Sequence, residues 1–249
     1  MAHTSGLPDA ITDDVNITMI TGNRNELFEI LATKPIKQAG ENSVYNQTGY
    51  IVLGMIIEKV SGMQYEQFVN TRILTPAKIT GMAYGDGWSI ISGRSNLYTS
   101  LKITEDHSKL FIGEHGPVVM EDKIVHYGSK YMPDFMVPTG LINGSIRDLI
   151  NLEKALDFGS LLKPETLRLM STPYKLSNGK NGDFGLGFVT ASFGGPYNAV
   201  SYGSGAATWR LSYPERNLTV IVLTNLQGSQ PQGLAAKIAA IVDPEVVGK

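Results

Sequence analysis

The segment Ile51-Val-Leu-Gly-Met-Ile-Ile-Glu-Lys-Val60 constrains this chain more than any other. Its apolar residues keep to no single stripe: Ile51, Val52, Leu53, Met55, Ile56 and Ile57 follow almost without a break. A helix that is oily on every side has to be enclosed on every side, so the sequence predicts a helix buried all round. Glu58 and Lys59 mark its wetter end, and Gly62 supplies a C-terminal cap. A polar turn, Tyr45-Asn-Gln-Thr-Gly-Tyr50, feeds directly into it. The phenol of Tyr45 and the carboxamide of Gln47 are thereby held at the rim of a buried element, well placed for chemistry. An isolated Tyr-x-Gln more often only caps and packs, so the motif needs support from the rest of the chain.

Enclosing such a helix takes a sizeable core. The chain has 249 residues, 42% hydrophobic and 18% charged, in keeping with an ordinary globular protein of one large domain or two small ones. The net charge of -2 gives no electrostatic case for nucleic acid or an anionic membrane. With no cysteine, disulfides, thiolate nucleophiles and cysteine-ligated metals are excluded. No stretch is long enough to span a bilayer, and Met1 to Gly6 lacks the basic and apolar regions of a signal peptide. The compartment stays open.

The remaining elements can be read in order. His3 to Asp14 is loop-like. Asn25 to Thr33 reads as a short helix ending before Pro35, and Gln64 to Leu74 as another, interrupted by Pro76. Gly81 to Pro138 is an excursion of loops and small strands, lid-like, with β-like runs at Leu97–Leu101 and Lys123–Tyr127. It holds His107, His115 and His126, whose spacing fits no zinc site; no metal or cofactor is expected. Ser145-Ile-Arg-Asp148 is a capping box opening a helix to about Leu156. Pro164 occupies a first helical position, starting a helix through Met170. From Asp183 the period changes to two, predicting strands over Phe184–Ala191, Ala199–Tyr202, Thr208–Tyr213 and Leu218–Thr224, the last apolar enough to be central. Gln232 to Val242 reads as an amphipathic helix with Leu234, Ile238 and Ile241 on one face. Helices first, then an antiparallel meander, then a helix predict an α+β domain, helical and looped to about residue 180 and stranded from 181 to 249.

Together these pieces resemble a known family. His3-Thr-Ser-Gly-Leu-Pro, the block from Tyr45 to Gly62 and Thr139-Gly-Leu-Ile-Asn-Gly-Ser-Ile-Arg-Asp-Leu149 carry the first half of the resemblance. Phe184-Gly-Leu-Gly-Phe188, Tyr202-Gly-Ser-Gly205 and Leu218-Thr-Val-Ile-Val-Leu-Thr-Asn225 carry the second. The chain is similar over nearly its whole length to the class C β-lactamase-related serine hydrolases, which include penicillin-binding-protein-like esterases and D-aminopeptidases. The resemblance implies a β-lactamase/transpeptidase-like antiparallel sheet flanked by helices. It also implies acyl transfer through a serine acyl-enzyme on a small-molecule ester, amide or peptide substrate.

By that resemblance Tyr45 is the second proton carrier, and Gln47 stands where Asn is usual in the Tyr-x-Asn motif. Tyr202 falls at the Lys/His/Trp position of the strand motif, Ser204 where Gly is usual, and Gly205 offers its N–H to the oxyanion. A phenol with an ordinary pKa near ~10 is no cation at neutral pH, which points away from a β-lactam carboxylate and toward ester or amide cleavage.

The family's Ser-x-x-Lys, nucleophile plus base, lies upstream of the His-Thr-Ser-Gly loop, where this sequence starts. Two Ser-x-x-Lys pairs occur, Ser160 to Lys163 and Ser177 to Lys180. The first runs into the proline that starts a helix and the second lies in an Asn/Gly loop, so neither stacks its pair on one helical face. The reading is a serine hydrolase seen without its nucleophile: a fragment, in preference to half of a split enzyme or a non-catalytic binding relative. A complementing N-terminal segment is the implied partner. Without it, a bared sheet edge and apolar patch predict poor solubility.

Overall fold

The computed structural model describes residues 1–9, 23–86, 89–101, 120–126, 133–157, 159–190, 195–204 and 208–247. Helix α1, Arg24–Ala32, is capped by Asn23, whose side chain accepts the N–H of Glu26 at 3.0 Å. Helix α2, Thr48–Ser61, stops at Gly62, which adopts φ 70° and returns its N–H to Glu58. Helix α3, Tyr65–Val69, widens into a π-helical turn, Asn70–Leu74, where the Thr75 N–H reaches back to Asn70. Strand β1 (Ala83–Tyr84) pairs with β4 (Ile142–Asn143). Strand β2 (Tyr98–Leu101) lies antiparallel to β3 (Met120–His126) and parallel to β8 (Leu226–Gln227).

Helix α4, Ile146–Asp157, opens on a true capping box: the Ser145 N–H donates to Asp148 at 2.9 Å and the Asp148 N–H to the Ser145 hydroxyl at 3.3 Å. Pro164 starts helix α5, Pro164–Met170, as its fixed φ favours. Strands β5 (Val200–Ser204), β6 (Thr208–Tyr213) and β7 (Leu218–Leu223) form an antiparallel meander in the order β5-β6-β7. Asn217, at φ 50°, turns β6 into β7. Helix α6, Pro231–Val242, covers one sheet face over Trp209, Leu211, Tyr213, Val220 and Val222. A second core joins Leu27 and Leu31 of α1 to Ile51 and Met136, and a third joins Leu74, Ala77 and Ile79 to Ala155. The α+β architecture is as expected.

Four local expectations fail, each for a packing reason. Helix α2 is not buried all round: Thr48, Ile51 and Gly54 are, while Ile56 is 50% and Val60 78% exposed. Its inner side meets α1 and the 3-10 turn Asp134–Thr139, and Gly54 makes this possible, since a Cβ there would stand 2.3 Å from Pro138. Strand β7 is an edge of its sheet among the described residues, and β6 is the central strand. Helix α6 turns Ala235 and Ala239 fully inward against the bulky rings and branches of β6 and β7, with Ile238 of the expected face packed beside them, and leaves Leu234 and Ile241 exposed. The run from Phe184 forms a glycine-bent hairpin rather than a strand: Phe184 bridges Val189 and the Gly185 N–H returns to Phe188. Of the lid-like excursion, His107 and His115 lie outside the described residues, and His126 ends β3.

Candidate active site

The Tyr45 turn is held by the first nine residues, which run alongside it. The Val44 N–H donates to the His3 carbonyl at 2.9 Å, and the Gly40 N–H to the Thr4 carbonyl at 2.8 Å. Gly6, at φ 73°, sits against the Lys37 carbonyl, where any Cβ would fall 2.1 Å from that oxygen. Asn46, between the two motif residues, is the clamp. Its amide nitrogen donates to the Leu7 carbonyl at 2.8 Å, and its amide oxygen accepts the Gly49 N–H at 2.7 Å, capping α2. Gln47 is buried, its N–H directed at the Asp9 carboxylate 3.4 Å away.

Tyr45 stands in an aromatic cluster with His3 at its centre. The His3 ring lies 4.7 Å from Tyr45, 5.2 Å from Tyr50 and 4.4 Å, edge-on, from Phe184. The Asn46 N–H points at His3 Nδ1 at 3.0 Å, so that nitrogen is bare and the neutral ring carries its proton on Nε2. Burial, with the Met1 amine nearby, lowers the His3 pKa to about 4. Burial also pushes the Tyr45 phenol up to about 12, with Tyr50 and Asp9 adding to the shift. Tyr45 is therefore a proton-bearing phenol at neutral pH.

Tyr202 lies in a second cluster. Its hydroxyl donates to Glu153 Oε1 at 3.0 Å, and its ring stacks on Phe188 at 5.9 Å between centroids. The Arg210 guanidinium lies over both rings, 5.3 Å from Phe188 and 5.6 Å from Tyr202. Arg210 Nε donates to Glu153 Oε2 at 2.9 Å, Nη2 donates to the same oxygen, and Nη1 reaches the Val200 carbonyl at 3.3 Å. Both side chains of this ion pair are more than nine-tenths buried. Burial, then the Glu153 charge, raises the Tyr202 pKa. Ser204 ends β5 opposite Thr208, and Gly205 lies outside the described residues. Gly203 has no alternative, because a Cβ there would strike the Thr208 carbonyl and the Trp209 ring, both at 2.4 Å.

The two clusters meet through the 184–189 hairpin, whose Phe184 packs on His3 and Tyr45 and whose Phe188 packs on Tyr202. Sequence reasoning singled out Tyr45, Gln47 and Tyr202 but missed Asn46, Glu153 and Arg210. Asn46 had a signal, a side-chain amide three residues before Gly49 at a helix start. Arg210 had one too, a charge inside the apolar run Thr-Trp-Arg-Leu-Ser-Tyr. Ser160 and Ser177, the rejected nucleophiles, lie in turns, the first donating to the Ala155 carbonyl. Among the described residues no group of three or more His, Asp or Glu is arranged to hold a metal ion, and no helix is long and apolar enough to cross a membrane.

Beside the turn opens a cavity of about 380 Å³, bordered by His3, Asn46, Gly49, Tyr50, Val52 and Leu53.

Comparison with known proteins shows the family. The chain is 26% identical over 235 residues to penicillin-binding protein 4* of Bacillus subtilis, covering 90% of this chain and 49% of that relative. The chain thus spans about half the length of that relative. Among solved structures it is similar to the D-amino acid amidase from Ochrobactrum anthropi SV3, with TM-score 0.72 and 20% identity over 98% of this chain and 71% of that one. It is similar also to the octameric penicillin-binding protein homologue from Pyrococcus abyssi, with TM-score 0.67 and 21% identity over 98% of this chain and 55% of that one. The Beta-lactamase family model matches residues 1–243, and the chain belongs to that family of β-lactamase-related serine hydrolases.

Proposed function

We propose that this chain forms the Tyr45 and β5 sides of a serine hydrolase that transfers the acyl group of an ester or amide, peptide-like substrate through a serine acyl-enzyme. The observation that carries the reading is the family match over residues 1–243, joined to the clamped, proton-bearing Tyr45 at the start of α2. A weak hydroxyl nucleophile needs a neighbouring base, and its leaving group needs a proton. Tyr45 is the group that returns that proton, and Gln47 sets the turn that aims it. Tyr202 and Ser204 belong to the strand side, and by the family resemblance the Gly205 N–H is the oxyanion donor.

The strand edge supports a peptide-like substrate. Ser201 exchanges both its backbone bonds with Val189, each 2.8 Å, so odd-numbered residues of β5 direct their N–H and C=O outward. Past that bridge the edge at Gly203 suits an extended ligand. The amidase relative is described in complex with L-phenylalanine, and amino-acid amides are the first substrates to try. A side chain without a cation at Tyr202 disfavours β-lactam turnover; rapid hydrolysis of a chromogenic cephalosporin would refute that point.

The nucleophile and its base belong, in this reading, to a complementing segment that lies against the open cavity and the exposed face of α2. The test is fluorophosphonate labelling of the native polypeptide, with its intact mass and the labelled peptide identified by mass spectrometry. The expected result is a mass above 27.0 kDa and a label on a serine of a Ser-x-x-Lys preceding the present Met1. An unlabelled native polypeptide that still binds ligand would replace the catalytic reading by that of a binding relative.

A further inference from the structure

We propose that Glu153, Arg210 and Tyr202 act as one positioning device that fixes the far end of β5, residues 202–204. No substrate contact is assigned to Glu153 or Arg210. They act through the strand. The catalytic consequence rests on the acyl-transfer reading above, whereas the mechanical claim does not.

The geometry has a division of labour. One carboxylate, carried on α4, uses its two oxygens on two different strands: Oε2 takes Arg210 of β6 and Oε1 takes Tyr202 of β5. Arg210 stands directly opposite Tyr202 in the ladder and also holds the β5 carbonyl of Val200. So β5 is fastened at residues 200 and 202 by side-chain bonds, in addition to its ladder with β6. The fastening matters because of what lies on the other edge. Val189 bridges Ser201, and among the described residues β5 has no bridge beyond that point on its outer side. The next residue to turn its N–H and C=O outward is Gly203, which has no Cβ to restrict its backbone dihedrals. Without Tyr202 held down, the strand end would be restrained by β6 alone.

The buried placement makes the device stiff. Both charged side chains are nearly out of solvent, and each leaves the other uncompensated if it shifts. The guanidinium over the Phe188 and Tyr202 rings adds a cation–π contact to the hydrogen bond that holds the phenol. A cation and an anion at this depth cost desolvation that an apolar pair would not. Specific orientation of the edge strand is a use for which that cost has a return.

The test is amide hydrogen exchange on the native polypeptide and its Tyr202→Phe variant, followed residue by residue. Tyr202→Phe removes one hydroxyl and leaves the ion pair whole, so it keeps the fold where Glu153→Gln could lose it. The alternation set by Ser201 directs the Ser204 N–H into the β6 ladder, and the Val220 and Val222 N–H groups bond β6 from β7. The expected result is at least tenfold faster exchange at Ser204, with Val220 and Val222 unchanged. A uniform change at all three, or none, overturns the proposal, since a merely stabilising bond would move them together.

A second readout separates the proposal from the function it serves. If the native polypeptide hydrolyses an amino-acid ester, Tyr202→Phe lowers kcat and kcat/KM equally, with KM nearly constant, as loss of an interaction made only in the transition state requires. A raised KM with unchanged kcat would make Tyr202 a ground-state substrate contact and refute its positioning role. Local exchange at Ser204 without any turnover by the native polypeptide would uphold the device and reject the acyl-transfer reading.

Discussion

Two aromatic clusters flank the candidate site, and they differ in what stands at their centres. Around Tyr45 the centre is His3, a neutral ring whose Nδ1 accepts a backbone N–H. Around Tyr202 the centre is an Arg210–Glu153 ion pair sealed from water. The first is assembled from residues 1–9 and 37–50, with Phe184 of the hairpin against the rings, through many modest backbone and side-chain bonds. The second draws on α4, the hairpin, β5 and β6, with its energy concentrated in one carboxylate. A cluster of many modest bonds loses stability by degrees. A cluster built on a buried charge loses it in one step, because the surviving partner is left unpaired.

The largest effect should therefore come from Glu153→Leu, which strands the Arg210 guanidinium. The expected loss is about 3–5 kcal/mol in the urea unfolding midpoint converted at constant m. The double variant Glu153→Met with Arg210→Met should recover most of it, since removing both charges avoids the unpaired one. A single-variant loss under about 1 kcal/mol would mean that water reaches the pair, and the contrast between the clusters would collapse.

On the other side, Asn46→Ala removes one cap and one tie to the Leu7 carbonyl. A loss of about 1–2 kcal/mol is expected, read by the same titration. His3→Phe keeps the ring packing and removes only the acceptor, and its signature is pH dependence. The folded pKa of His3, about 4, lies below its ordinary 6.5, so the unfolded chain binds more protons between those values. Stability contributed by neutral His3 is thus present above about pH 6.5 and lost as the pH falls toward 4. The loss should be about 1–2 kcal/mol, a figure reduced for the ring's partial exposure. His3→Phe should flatten that part of the stability profile, and an unchanged slope would remove His3 from the centre of its cluster.

The same contrast governs how much could be read beforehand. The Tyr45 turn was legible because its parts are contiguous: motif, capped start, apolar helix and terminating Gly62 lie within residues 45–62. The capping box at Ser145 and the helix start at Pro164 were legible for the same reason, since caps and prolines act over a few residues. The second cluster was not, because Glu153, Phe188, Tyr202 and Arg210 come from separate elements and each is unremarked alone. Only tertiary packing makes Tyr202 face Glu153. Periodicity also misjudged in part which side of a helix turns inward. On α6 it chose Leu234, Ile238 and Ile241, of which Ile238 packs on the sheet while Leu234 and Ile241 are exposed, and Ala235 and Ala239 are the fully buried residues.

The smallest predicted effect tests what covers α2, and it bears on both clusters because α2 begins at the Tyr45 turn. Val60 is 78% exposed on the helix's outer side, while Ile51 is buried in the core with Leu27 and Met136. Val60→Lys should change the stability of the 249-residue chain by no more than about 0.5 kcal/mol, as surface substitutions do. Ile51→Ala, on the inner side, should cost about 2–5 kcal/mol through lost burial and the cavity it leaves. The native polypeptide sharpens the comparison. If a complementing segment lies on the outer face, Val60→Lys there places an ammonium in an apolar contact, and its cost should rise to about 1.5–3 kcal/mol, the scale of burying one such side chain. Equal, negligible costs in the two polypeptides would show that the outer face of α2 meets water in both, and the segment would then have to complete the site without touching it.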